Sequence, residues 1–339
     1  MYFNFFCIVI ISLFCKYFFF PNPHPLLDLI GDLSNQEKSS IQSTYFSFYQ
    51  SQVNLTLKDY KLLASHNSFN TRSQNYGFFG QDLRLYQLGI PIIWAQQHYS
   101  LSEQLDMGIR MLQLDPHCYA SKLVLCHSGY MIPKFDKILS FLEPFTGTLE
   151  FNSNSLGCTL WDTPLEKALN EINNWIETHP KDFLIIYWND SPFWTWHHSS
   201  KINDLIESTL NSLVIRPKDY PNPLEVPIQK FLDNDHRVLI MSENGYGAHG
   251  EQWIFRPLHS PQWPVNCINN FSRYSSQINS SSFTIFSSES QLVPFIYDGP
   301  KECGLVLPMN FPILWKQVNV VKVDQVSWKL MEEFMKFLR

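Results

Sequence analysis

The sequence predicts an α/β fold: a distorted (β/α) barrel of the TIM type forming a single catalytic domain. Three observations predict it. Short apolar runs of strand length, such as "KLLAS", "IRMLQLD", "DFLIIYWND" and "HRVLIMSEN", recur along the chain and end in polar residues. Amphipathic helical stretches fall between them, the pattern of a parallel sheet covered by helices. No glycine-rich nucleotide loop follows the first run, which favours a closed barrel over a doubly wound sheet. Six or seven strands are expected in one pass, with no internal repeat.

Taken in order, "MYFNFFCIVIISLFCKYFFFPNP" opens with an apolar run from Tyr2 to Cys15. A span needs about 20 apolar residues, so residues 1–20 read as a signal peptide or an uncleaved signal anchor, with a buried N-terminal element as the third possibility. Residues 21–58 are polar and read as a linker or a helix packed on the outside. Residues 59–339 are expected to form the barrel. "KLLAS" is its first strand. "SLSEQLDM" is a helix, with Ser100 and Glu103 in capping-box spacing, Leu101 and Leu105 on one face, and Gly108 as the stop. "IRMLQLD" and "KLVLCHS" follow as strands, and an insertion is placed between Lys134 and Asp162.

The clearest helix is "TPLEKALNEINNWIETHP". Thr163 is expected as its cap, with Glu166 completing the box, and Leu165, Ala168, Leu169, Ile172 and Ile176 as its buried stripe. "DFLIIYWND" is the next strand. A loop "FWTW" and a helix around "KINDLIESTLNSLV" precede the strand "HRVLIMSEN". "FTIFSS" and "NVVKVD" are later strands, and "WKLMEEFMKFL" is the closing helix.

Hydrophobic residues make up 45% of the 339 and charged residues 17%, so a folded body is expected rather than a disordered one. A net charge of −6 without a run of Lys or Arg argues against nucleic acid as a partner, and against an electrostatic grip on anionic membrane. Of seven cysteines, Cys118, Cys126, Cys158, Cys267 and Cys303 lie beyond the leader. None pair at zinc-ligand spacing, so one or two ordinary disulfides are expected. Sequons at Asn54, Asn270 and Asn279 suit a secreted or lumenal glycoprotein, or one anchored through residues 1–20.

In a barrel of this kind the chemistry sits at the carboxyl ends of the strands. Those ends carry His66 and Asn67, then Gln113 and Asp115 with His117 beyond, then His127, then Asn189 and Asp190, then Glu243, then Asp324. A histidine pair suits acid–base chemistry near neutrality, because an imidazole of pKa about 6.5 gains or loses a proton readily. Carboxylates beside it can orient the rings or, with an amide oxygen, hold a hard cation. His117, His197, His198 and His259 lack such company and read as surface or structural. No Gly-x-Ser-x-Gly elbow supports a serine nucleophile.

The ordered set "ASHNSFN", "SLSEQLDMGIRMLQLD" and "LCHSG" resembles the X region of phosphatidylinositol-specific phospholipase C and its secreted, X-domain-only relatives. The likeness is good over residues 59–130 and continues at strand level through "DFLIIYWND", "HRVLIMSEN", "PQWP" and "NVVKVD". It implies His66 as general base toward the inositol hydroxyl beside the phosphodiester, and His127 as general acid toward the departing diacylglycerol oxygen. Asn67 and Asp115 match calcium-ligating positions of the metal-dependent relatives, so calcium is a possible cofactor. Asp324 falls where some relatives place a carboxylate that orients the first histidine. Asn189 is expected among the groups that position substrate or metal.

Two departures stand out. Gln113 replaces a glutamate of the calcium-dependent enzymes, which lowers the charge of the pocket and should weaken calcium. Arg110 lies five residues before Asp115, where metal-independent relatives carry a phosphate-binding arginine, and is out of phase with it. The implied activity is phosphodiester hydrolysis through a cyclic phosphate, by a monomer meeting membrane transiently. A non-catalytic headgroup-binding protein, and a hydrolase of glycerophosphodiesters or sphingomyelin, are the rivals.

Overall fold

The computed structural model describes residues 33–71, 97, 99–119, 122–126, 163–188, 192–242, 254–255, 285–287, 320–323, 326 and 328–335. Seven strands form one sheet: β1 (Leu62–Ser65), β2 (Ile109–Leu114), β6 (Leu184–Trp188), β7 (Val238–Ser242), β8 (Ile254–Phe255), β9 (Ile285–Ser287) and β10 (Val320–Val323). Their order is β8-β7-β6-β2-β1-β10-β9, and every pairing is parallel. From β1 the strands β2, β6, β7 and β8 add in chain order on one side, while β10, with β9 beyond it, pairs on the other. That is the order of a distorted (β/α) barrel opened at one seam, since no pairing joins β8 to β9 among the described residues. Strands β1, β2 and β6 are buried at every position, which explains their continuous apolar runs.

The strand expected from "KLVLCHS" forms, but outside the barrel. As β4 (Lys122–Leu125) it pairs antiparallel with β3 (Pro116–Tyr119) and β5 (Thr163–Pro164) in a three-stranded sheet. Only two residues separate β3 from β4, too few for the crossover that a parallel pairing needs. This pairing also corrects the expected helix cap. Thr163 is held opposite Leu125, and helix α3 (Leu165–Thr178) begins after Pro164 without a side-chain cap. Its buried stripe is the expected one, with Trp175 added.

The region 21–58 contains α1 (Asn35–Ser51), opened by a Ser34–Glu37 capping box and buried through Ile41, Tyr45 and Tyr49. The expected box at Ser100 and Glu103 opens α2 (Leu101–Asp106). Helix α4 (Pro192–Thr209) starts earlier than its periodicity indicated and takes in "FWTW", which is therefore helical rather than a loop. A short α5 (Ile228–Leu232) precedes β7, and α6 (Trp328–Met335) closes the described chain against α1. The expected insertion at 134–162 and the leader lie outside the described residues.

Helix α1 seals the amino-terminal end of the barrel. The Tyr49 hydroxyl donates to the Gly108 carbonyl at 2.7 Å and accepts from the Leu63 amide at 3.4 Å, so it sits between the starts of β1 and β2. The Tyr45 hydroxyl donates to the Met331 carbonyl at 2.9 Å and ties α1 to α6. Burial pushes the Tyr45, Tyr49 and Tyr60 hydroxyls far above the ordinary phenol range, which keeps them neutral donors. Arg110 completes this floor. Its guanidinium contacts Asp182 at 2.9 Å, donates to the Leu105 and Ile109 carbonyls, and lies over the Tyr49 and Trp175 rings.

The pairing of β1 with β2 slips between Leu63 and Ala64, from Ile109 to Met111, and skips Arg110. Alternation along β2 then turns Arg110 to one side of the strand and Gln113 to the other. Arg110, expected to be out of phase with a phosphate-binding arginine, is instead bonded to Asp182 and to the Leu105 and Ile109 carbonyls.

Gly108 permits the close approach of α1. Its φ is +106°, and a Cβ there would lie 2.5 Å from Cγ of Tyr45. Gly108→Ala is expected to lower stability by about 2–4 kcal/mol, from backbone strain and overpacking together, as read by urea denaturation.

Candidate active site

The carboxyl ends of five neighbouring strands lie at one end of the sheet, with β2, β6 and β7 running two residues past the level at which β1 and β10 stop. Ser65 pairs with Val323 on one side and Leu112 on the other, Leu114 with Trp188, and Trp188 with Ser242. His66 and Asn67 follow β1, and Asp115 follows β2, so all three stand at this mouth. His127, Asn189 and Asp324 lie outside the described residues, as does Glu243.

The chain leaves β1 through a turn that the polar residues of "SHNSFN" build. Asn67 adopts φ +42°, a left-handed conformation that asparagine tolerates better than most residues. The Ser65 and Ser68 hydroxyls are 2.6 Å apart, and Ser68 donates to the Ser65 carbonyl at 2.9 Å. The Ser68 amide reaches across to the Gln113 carbonyl at 2.9 Å, which docks the turn on the end of β2. Phe69 is fully buried beneath it. The histidine and asparagine at the strand tip are thus presented by a turn whose own backbone groups are bonded.

Two glutamines that sequence reasoning did not single out hold this turn. Gln97 donates from Nε2 to the His66 carbonyl at 2.7 Å and accepts the Val326 amide at 3.0 Å through Oε1. It therefore couples the segment after β1 to the segment after β10. Gln104 donates to the Ser68 and Tyr99 carbonyls at 2.9 and 2.8 Å. Gln104 carried a signal, being a polar residue inside the buried stripe of α2 beside Leu101 and Leu105. Gln97 carried none, because its bonds are made to residues far off in sequence.

His66, Asn67, Gln113 and Asp115 are all buried. Gln113 donates from Nε2 to Asn67 Oδ1 at 3.1 Å and to Asp115 Oδ1 at 3.3 Å. Three of the expected site residues are thereby one hydrogen-bonded cluster. The Asp115 carbonyl accepts the Cys126 amide at 3.2 Å, and Cys126 is disulfide-bonded. That bond brings the end of β4, one residue before His127, to the end of β2. His117 is buried on β3, as a structural residue would be.

Neither family models nor curated proteins match this chain. Solved structures do. The phosphatidylinositol-specific phospholipase C from Listeria monocytogenes superposes with a TM-score of 0.50 at 12% identity, covering 84% of this chain and 94% of that one. A double mutant of the corresponding Staphylococcus aureus enzyme gives a TM-score of 0.53 at 10% identity, covering 88% and 97%. A pentafluoro-Phe form of the Staphylococcus aureus enzyme gives 0.50 at 10% identity, covering 86% and 98%. The chain thus has the phosphatidylinositol-specific phospholipase C fold, across most of its length.

Removing the Gln97 amide would leave a buried carbonyl and a buried N–H without their partner, at about 1–3 kcal/mol each. Gln97→Ala is expected to lose about 2–5 kcal/mol of stability in urea denaturation. Gln97→Glu keeps the acceptor for Val326 but not the donor to His66, and should also be destabilised.

Proposed function

We propose that this chain is a phosphoric diester hydrolase of the phospholipase C type, cleaving phosphatidylinositol or a closely related phosphodiester. The observation that carries the reading is the placement of a buried His66 at the carboxyl end of β1, next in sequence to Asn67 of the buried Asn67–Gln113–Asp115 cluster. The solved structures above, all phosphatidylinositol-specific phospholipases C, support the substrate class.

In the proposed reaction His66 takes the proton from the inositol hydroxyl next to the phosphodiester. That oxygen attacks phosphorus, the bond from phosphorus to the diacylglycerol oxygen breaks, and His127 protonates the departing oxygen. The products are diacylglycerol and a cyclic inositol phosphate. The same two groups, with roles exchanged, open the cyclic phosphate with water. The Gln97 bond to the His66 carbonyl supports its role by fixing the backbone that carries the imidazole, a condition for efficient proton transfer. The tether of Cys126 to Asp115 supports His127 as the partner acid. Asp324 is assigned the orientation of His66, and Asn189 a place in positioning the substrate headgroup.

Helix α4 begins four residues beyond the end of β6, on the carboxyl side of the sheet. Its first turns carry Phe193, Trp194 and Trp196, residue types that suit a membrane interface. We assign this end of α4 to transient docking on the lipid surface. The disulfide at Cys126 and the exposed sequon residue Asn54 support a secreted or lumenal location, with anchoring through residues 1–20 as the alternative.

Phosphorus NMR of the protein with phosphatidylinositol micelles tests the reaction. A cyclic phosphodiester signal is expected, with loss of at least 100-fold in rate in both His66→Ala and His127→Ala. A folded wild-type chain that binds these micelles without turning them over would favour the headgroup-binding reading. Turnover undiminished in either variant would overturn the mechanism.

A further inference from the structure

We infer that the Gln113 amide occupies the place of a metal ion at the barrel mouth, so that this site works without calcium. The inference deepens the phosphodiesterase reading by stating how its polar cluster is held, and the hydrogen bonds that carry it do not depend on that reading.

The two side-chain oxygens that would ligate a cation, Asn67 Oδ1 and Asp115 Oδ1, both face Gln113 Nε2, at 3.1 and 3.3 Å. The amide orientation is dictated by chemistry. A carboxylate oxygen can only accept, so the nitrogen, not the oxygen, of Gln113 must be turned to Asp115. An amide nitrogen has two hydrogens, and the two bonds use one each. Calcium takes six to eight oxygens at about 2.3–2.6 Å and cannot share these two with an N–H donor pointed between them. Gln113 is 1% exposed and Asn67 1%, so the amide has no solvent-facing alternative to swing into. As they stand, these residues do not fit the ion.

The described residues of the cluster also bring little charge to a hard cation. Among Asn67, Gln113 and Asp115 only Asp115 carries a formal charge, and affinity in oxygen sites rises with the number of charged ligands. Substituting an oxygen for Nε2 changes both terms. Gln113→Glu removes the two hydrogens from Asn67 and Asp115, and sets a second carboxylate two residues from the first at the carboxyl end of β2. The donor that bridges Asn67 Oδ1 and Asp115 Oδ1 is then lost, and a divalent cation is the natural replacement.

Isothermal titration calorimetry and thermal unfolding of the full chain, each with calcium chloride and with magnesium chloride as control, test this without reference to activity. The wild-type protein is expected to show no saturable calcium binding below about 10 mM, and the same unfolding temperature in calcium and in chelator. Gln113→Glu is expected to unfold at lower temperature in chelator, to recover in calcium, and to bind it with a Kd of roughly 10⁻⁴–10⁻³ M, at least tenfold tighter than wild type. Saturable calcium binding by wild type at micromolar to low millimolar concentration would overturn the inference, as would a folded Gln113→Glu indifferent to calcium. Should that variant not fold, the wild-type titration decides. A wild-type chain inert toward phosphodiesters but also blind to calcium would sink the proposed activity and leave the inference standing.

Discussion

Strand β1 is held on both sides, by β2 and by the far-distant β10, and the rest of the molecule depends on that double pairing. It is only four residues long, and every one is buried. Parallel pairing on both edges satisfies its backbone groups and leaves no free edge. The same pairing brings residues 62–65 against 320–323, which sets the last strands of the chain beside the first with their carboxyl ends at the same end of the sheet. Closing so long a loop is entropically expensive, so the closure is reinforced at each end. At the floor, Tyr45 and Tyr49 tie α1 to α6 and to the strand starts. At the mouth, Gln97 ties the segment after β1 to the segment after β10.

The slip in register at Arg110 divides β2 into two uses. Below the slip a guanidinium is enclosed by Asp182, two carbonyls and two aromatic rings, an arrangement in which a buried charge is tolerable because all of its demands are met. Above it, Gln113 and Asp115 turn toward the turn that carries His66. One strand thus serves the foundation at one end and the proposed chemistry at the other.

The mouth follows a single rule, that buried polar groups must find partners. Serine hydroxyls bond each other and the backbone, glutamine amides bridge separate strand ends, and the Gln113 nitrogen gathers an amide and a carboxylate oxygen. Such a network fixes the backbone turn on which His66 stands. A rigid, water-poor setting is also where a proton transfer between fixed groups is most effective.

By itself the sequence determined the local order: the buried strands, the capping box at Ser100, the apolar stripe of α3, and the histidine and carboxylate at strand tips. Each is written in residues close together, through period, cap and turn chemistry. It also carried the succession of motifs that pointed to a phospholipase C barrel. It did not reveal that β4 leaves the barrel for an antiparallel sheet, that Thr163 is a strand residue instead of a cap, or that "FWTW" is helical. Nor did it reveal Gln97, or the direction of the Gln113 amide. Those were decided only by tertiary structure, because each depends on which distant backbone or side chain supplies the missing hydrogen-bond partner, and no local pattern encodes that choice.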